Sequence, residues 1–222
     1  SYSSRNGFDW RQPIYLNLAP HYDMTLEPRL MTNRGLLLGT EFRYRTERGR
    51  GVFDIEAIVS DQLTRDGRQE EIDDNIRPEN WRKDNRGMFR YRGRYNVSPT
   101  WQARANLKWD SDPRYQEDSS SNLTGRTNFS TKSDIGIYGR ARTWDAGLMA
   151  DYWQLGDYTR ADTILPYHRL PRAYSNWEDD FGRWLVAGAS VEAIRFEHAN
   201  RQAKPGGSRL DFKPWVSMPF EG

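Results

Sequence analysis

Charged side chains recur at every second position along much of this chain. Asp23, Glu27 and Arg29 share one face of an extended segment; Glu41, Arg43 and Arg45 share a face of the next, and Asp54 and Glu56 follow. Arg90, Arg92 and Arg94 continue the pattern, then Arg104 and Lys108, then Asp134, Arg140 and Arg142. Such groups could do two kinds of chemistry. Paired carboxylates hydrolyse glycosides as acid and base, and arginine forks suit phosphate oxygens. A catalytic dyad is one local arrangement, whereas these charges repeat on segment after segment. The expectation is therefore a hydrated, basic lining and not an enzyme. No Gly-x-Ser-x-Gly, P-loop or metal signature appears, so no catalytic residue, cofactor or metal is expected. His21, His168 and His198 lie far apart and there is no Cys, which excludes disulfides and thiolate metal sites.

The intervening positions are apolar. Tyr22, Met24, Leu26, Pro28 and Leu30 oppose the first charged set, and Leu36, Leu38, Thr40, Phe42 and Tyr44 the second. Phe89, Tyr91 and Tyr95, then Trp101, Leu107 and Trp109, then Ile135 and Ile137, then Leu210, Phe212, Val216, Met218 and Phe220 repeat the arrangement. A strand with one apolar and one charged face sits between two different solvents. The 222 residues are 36% hydrophobic and 29% charged, with mean hydropathy −0.96. No apolar run is long enough for a membrane helix. Yet aromatics reach 14%, with nine Trp and twelve Tyr, which disfavours disorder. Polarity, aromatics and period-two alternation together describe a β-barrel in a bilayer, with a polar lumen and aromatic girdles. The net charge of +2, from interspersed charges, does not point to nucleic acid.

The fold class expected is all-β: a membrane antiparallel up-and-down barrel, present as an incomplete segment of about ten strands. Pro13 interrupts a strand at 8–18. Residues 60–86 read as a solvated polar loop, 110–130 as a second polar segment and 156–180 as a third long loop. Residues 183–198 read as a strand whose facing the pattern leaves open. Connections after Val59 alternate long and short, as in outer-membrane barrels. Asn6-Gly7 is a hairpin signal that parity places on the long-loop side, with a partner strand expected upstream. With no initiator Met and an edge at each end, the chain reads as an excised segment, because a barrel in lipid leaves no open edge.

The stretch APHYDMTLEPRLMTNRGLLLGTEFRYRTERGRG at 19–51 resembles the start of the barrel domain of the LptD family (also called Imp or OstA). SRNGFDWRQPIYLNL, WQARANLKWDSDPRYQED, ILPYHRLPR and GSRLDFKPWVSMPF resemble that family in the same order. The resemblance implies one partial barrel domain over 1–222, with the periplasmic jellyroll and remaining barrel strands absent. It implies transport of lipopolysaccharide through a lumen and lateral gate of the Gram-negative outer membrane, with a plug lipoprotein, LptE, and delivery from a periplasmic LptA-type bridge. Pro13 and Pro28 match family prolines near the seam and become lateral-gate candidates. Proline removes a ladder donor, so two on adjacent strands would weaken pairing where opening is needed; bulges or strand ends are the plainer explanation.

Two other readings stay open on the residues alone. A passive porin shares the alternation without needing a plug. A soluble β-sandwich that binds carbohydrate would bury its apolar faces against each other.

Overall fold

The computed structural model describes residues 2–119 and 129–218. Alternating residues with β-branched and aromatic side chains form thirteen strands. These are β1 (Tyr2–Ser3), β2 (Gly7–Arg11), β3 (Ile14–Ala19), β4 (Tyr22–Met31), β5 (Gly35–Arg45), β6 (Gly49–Ile58), β7 (Arg86–Asn96), β8 (Trp101–Asp110), β9 (Ser130–Arg140), β10 (Trp144–Leu155), β11 (His168–Asp180), β12 (Val186–Glu197) and β13 (Gly207–Ser217). They make one antiparallel sheet in which neighbours in sequence pair, except that β2 and β3 both pair with β4. Among the described residues β1 and β13 do not pair, so the sheet is open.

Thirteen strands replace the expected ten for three reasons. The 8–18 strand is split at Gln12-Pro13, and Asn6-Gly7 joins β2 to a two-residue β1, with Gly7 at φ 67°. The third is a correction: 156–180 is not a long loop, because β11 occupies His168–Asp180. Pro171 disguised it, and the register shifts between Arg169 and Arg172, as proline in a strand requires. The alternation of long and short connections persists with β11 included, and Asn6-Gly7 turns at the long-loop end.

Register keeps like with like. Leu30 faces Leu36, Pro28 faces Leu38, Phe42 faces Phe53 and Phe53 faces Tyr91. Ile137 faces Leu148, and Val191 faces Phe212. The last pairing assigns the facing of β12: Ala187, Ala189, Val191 and Ala193 join the apolar face. Phe220 lies outside the described residues. Among the described residues nothing packs on this face; Leu36 is 58% exposed, Leu148 51% and Leu210 75%. Among the described residues eight apolar side chains are buried against fifteen polar or charged ones, so there is no sandwich core, and the soluble β-sandwich reading is set aside. The small apolar cluster that exists, Met31, Leu37 and Ile58, lies on the charged side near the long loops.

Close strand approach leaves no room for a side chain at Gly87. A Cβ there would meet the Glu56 backbone oxygen at 2.3 Å. Gly87→Ala is expected to force β6 from β7 and cost about 1–3 kcal/mol. Heat-dependent gel mobility of the full-length protein reads this as a lowered unfolding temperature; an unchanged temperature would mean the pairing is looser than described.

Candidate functional site

The charged face is built from strand parity and kept on one side by register. Asp23 accepts from Arg43 Nε at 2.8 Å, Glu41 lies 3.5 Å from the same nitrogen, and Glu27 pairs with Arg11 at 2.8 Å. Arg90 donates to Asp110 at 2.6 Å. Arg43, Arg45, Arg92, Arg94, Arg104, Lys108 and Arg140 are exposed on this face. Two expected lining residues differ. Arg142 is not on a strand; it lies in the turn between β9 and β10, paired with Asp179 at 3.0 Å. Arg29 faces the charged side but is buried. It clamps Asp9 through two hydrogen bonds of 2.9 and 2.6 Å and donates to the Ser119 carbonyl at 3.2 Å.

That last contact belongs to a folded cap. The expectation that 60–86 is a solvated loop is contradicted. Asp61 caps α1 (Gln62–Asp66) by accepting from the Leu63 N–H, and α2 (Arg68–Asp73) follows directly. The next long loop carries α3 (Tyr115–Ser119). It crosses back over the charged side, where the Tyr115 hydroxyl donates to Glu56 of β6 at 2.8 Å.

Four guanidinium groups and four carboxylates are buried where these loops meet: Arg34, Arg82, Arg86 and Arg114 with Asp61, Glu71, Asp112 and Asp118. Arg34 grips Asp61 through two bonds of 3.1 and 2.6 Å and donates to the Asp118 carbonyl at 2.7 Å. Arg86 joins Asp112 twice at 2.9 Å and Asp118 at 2.9 Å, and reaches Asp61 at 3.2 Å. Arg82 holds Asp118 at 2.7 Å. Equal numbers of opposite charges, with two donors on both oxygens of Asp61 and Asp112 and on Oδ2 of Asp118, are what a buried ionic cluster needs to offset desolvation. The third long loop is tied in as well. Asn80 Nδ2 donates to the carbonyls of Tyr158 and Arg160, and Arg114 stacks on the Tyr158 ring at 4.1 Å. The two helical loops thus roof the long-loop end of the charged face.

Burial alone would raise the Asp118 carboxyl, but hydrogen bonds and charge from Arg82 and Arg86 outweigh it and hold it below the usual range.

The two prolines meet at one place. Pro13 lies in the gap between β2 and β3, and Pro28 lies opposite that gap on β4. Gln12 N–H donates to the Pro28 carbonyl at 3.1 Å. In an antiparallel ladder a residue's N–H and C=O point to the same neighbour. Pro28 has no N–H, so the reciprocal bond to Gln12 cannot form. β2 and β3 contribute seven register pairs to β4, whereas β5 contributes ten.

Two outcomes follow for the cap. Asp118→Asn leaves Arg82 and Arg86 short of a buried counter-ion and should cost it about 3–5 kcal/mol. Hydrogen exchange of α1 and α2 amides should accelerate while β9–β13 stay protected; equal exchange in the variant would contradict this. Because the folded Asp118 sits below the unfolded value, its contribution is complete above about pH 4 and is lost as pH falls through the lower folded value. Exchange corrected for intrinsic rate should therefore be flat from pH 7 to 5 and rise below 4.

Residues 84–222 match the family model described as LPS transport system D, LptD. The LPS-assembly protein LptD of Xanthomonas campestris pv. campestris (strain 8004) is 44% identical over 248 residues, covering 99% of this chain and 28% of the relative. That of Xylella fastidiosa (strain Temecula1 / ATCC 700964) is 42% identical over 239 residues, covering all of this chain and again 28% of the relative. The chain thus spans little more than a quarter of the length of these relatives. The crystal structure of the outer membrane channel DcaP of Acinetobacter baumannii overlaps at TM-score 0.36 with 12% identity, over 97% of this chain and 63% of that one. A family model that takes in well over half of the residues, and relatives above 40% identity along the whole chain, place this protein in the LptD family.

Proposed function

We propose that this chain is a wall segment of an outer-membrane barrel that carries lipopolysaccharide from the periplasm and inserts it into the outer leaflet. The observation that carries the reading is the single layer itself: an apolar face on which no described residue packs, backed by a continuous charged face. Lipid covers the first; the saccharide moves along the second. The outward aromatic residues support this orientation. Tyr22, Tyr44, Tyr95, Trp101, Trp144 and Trp177 sit near the short-turn ends of their strands, and Trp109 near the other end of β8. Trp101 and Trp109 are about 27 Å apart along an extended strand, close to the height of a barrel's apolar band. Short turns then face the periplasm and the capped loops face outside.

Within this reading the plug lipoprotein LptE fills the lumen, and an LptA-type bridge delivers substrate through a jellyroll outside this chain. The role is transport and assembly, without covalent chemistry. The proline break beside β4 is the lateral opening, where a ladder missing a donor separates most easily and lets acyl chains leave. The cap closes the outward end, so saccharide cannot simply diffuse through as in a porin.

Pro28→Val in the full-length protein supplies the absent donor opposite Gln12. One restored bond is worth about 1 kcal/mol, enough to slow opening by roughly fivefold. Surface lipopolysaccharide after pulse labelling should fall and sensitivity to large antibiotics should rise, with Pro13→Val adding to the effect. Unchanged delivery in both variants would remove the gate role. Sugar flux through liposomes holding the barrel without its plug, independent of the cap, would favour the porin.

A further inference from the structure

Most arginines on the charged face have a carboxylate. Arg11 has Glu27, Arg43 has Asp23, Arg90 has Asp110, and Arg172 and Arg209 share Glu192. One row does not. Register places Arg45 opposite Arg50, Arg50 opposite Arg94, and Arg94 opposite Arg104, near the short-turn ends of β5 to β8. All four are exposed. Among the described residues none of the four is ion-paired; Arg104 instead donates to the Gln102 amide oxygen at 2.6 Å and lies 5.2 Å from the Tyr138 ring centroid.

Like charges directly opposite one another oppose strand pairing. Here three such pairs stand in line across four strands, each rung about 4.8 Å from the next. Arg43 and Arg92 border the same groove, of about 930 Å³, and among its described lining residues Asp134 alone is acidic. Strand pairing gains nothing from this row, and an anion laid along it would neutralise it. Guanidinium forks match phosphoryl oxygens two at a time. The groove continues into a second one that shares Gln102 and Arg104 and adds Asn96, Tyr138 and Tyr174, with Asp145 the one carboxylate among its described lining residues. Amide and phenol groups beside the charges suit sugar hydroxyls, which an acidic protein face would not need.

We propose that Arg45, Arg50, Arg94 and Arg104 form a binding track for the phosphoryl groups of a phosphorylated glycan. The proposal rests on the reading of this face as a glycan path, and it makes the phosphorylated saccharide the part of the substrate that the wall recognises.

The test is calorimetric titration of the full-length protein in detergent, together with any subunit that co-purifies. The probes are lipid-free phosphorylated oligosaccharide of lipopolysaccharide, the same oligosaccharide after enzymatic dephosphorylation, and inorganic phosphate. Wild type is compared with the double variant Arg50→Gln, Arg94→Gln. The phosphorylated oligosaccharide should bind wild type at least about tenfold more tightly than either the variant binds it or wild type binds the dephosphorylated form. The unliganded variant should melt at the same temperature or higher, because repulsion has been removed. Equal binding by variant and wild type overturns the proposal, as does equal binding of the dephosphorylated probe. Inorganic phosphate binding as tightly as the oligosaccharide overturns the glycan assignment. A lower melting temperature without ligand would make the row structural. Loss of a co-purified subunit with oligosaccharide binding intact would make an acidic protein the ligand. Binding is read without transport: wild type that binds the phosphorylated oligosaccharide but delivers no lipopolysaccharide counts against the transport reading alone, and wild type that delivers lipopolysaccharide without binding the oligosaccharide counts against the track alone.

Discussion

A one-layer sheet can bury neither of its faces by itself. This constraint governs everything else in the molecule. The apolar side, with Leu36, Leu148 and Leu210 more than half exposed, needs a non-aqueous surrounding, and the charged side needs water or compensating charge. Hydrophobic burial between elements is thus almost missing as a source of stability. Ladder hydrogen bonds and cross-strand pairs such as Phe42–Phe53 and Phe53–Tyr91 take its place. In lipid an unpaired backbone group is costly, so register matters more here than packing, and a defect such as that at Pro28 has an effect that a soluble protein would not show.

The charged side resolves the same constraint differently at its two ends. At the long-loop end, charge neutralises charge: four arginines and four carboxylates sit under two helical loops, with Asp118 touched by Arg82 and Arg86 together. Such a cluster adds little net stability compared with an apolar one, but removing one member is costly. It fixes the loops in one arrangement across β4 to β8. At the short-turn ends of β5 to β8, Arg45, Arg50, Arg94 and Arg104 stand exposed and in register, and among the described residues none of them is ion-paired.

Much of this was legible in the residues. Alternation in 22–45, 89–109 and 134–142 marked strands and both faces, because each face meets one solvent and parity records which. β11 was not legible, since Pro171 and the surrounding LPYHRLPR look like a loop until neighbouring strands supply the pairing. The cap was missed for a deeper reason. Polarity is the only mark that sequence gives to Arg34, Arg86, Asp112 or Asp118, and buried ion pairs carry the same mark as solvated ones. Asp61, which caps α1, is a signal that went unread, and it would have indicated a helix and not its burial. Pro13 and Pro28 were candidates on adjacent strands; that Pro28 lies opposite the break at Gln12-Pro13 comes from the register of β2 and β3 on β4.

The central claim is that the apolar face lies in lipid and the charged face in water. Spin labels placed one at a time along residues 36–45 and 146–155 of the full-length protein in proteoliposomes test it most directly, read by their relaxation with oxygen and with a water-soluble nickel chelate. The account predicts alternation with period two: oxygen dominates at Leu36, Leu38 and Leu148, and the chelate dominates at Glu41, Arg43 and Arg45. Equal access of the chelate to both faces, or alternation of the opposite phase, would contradict it.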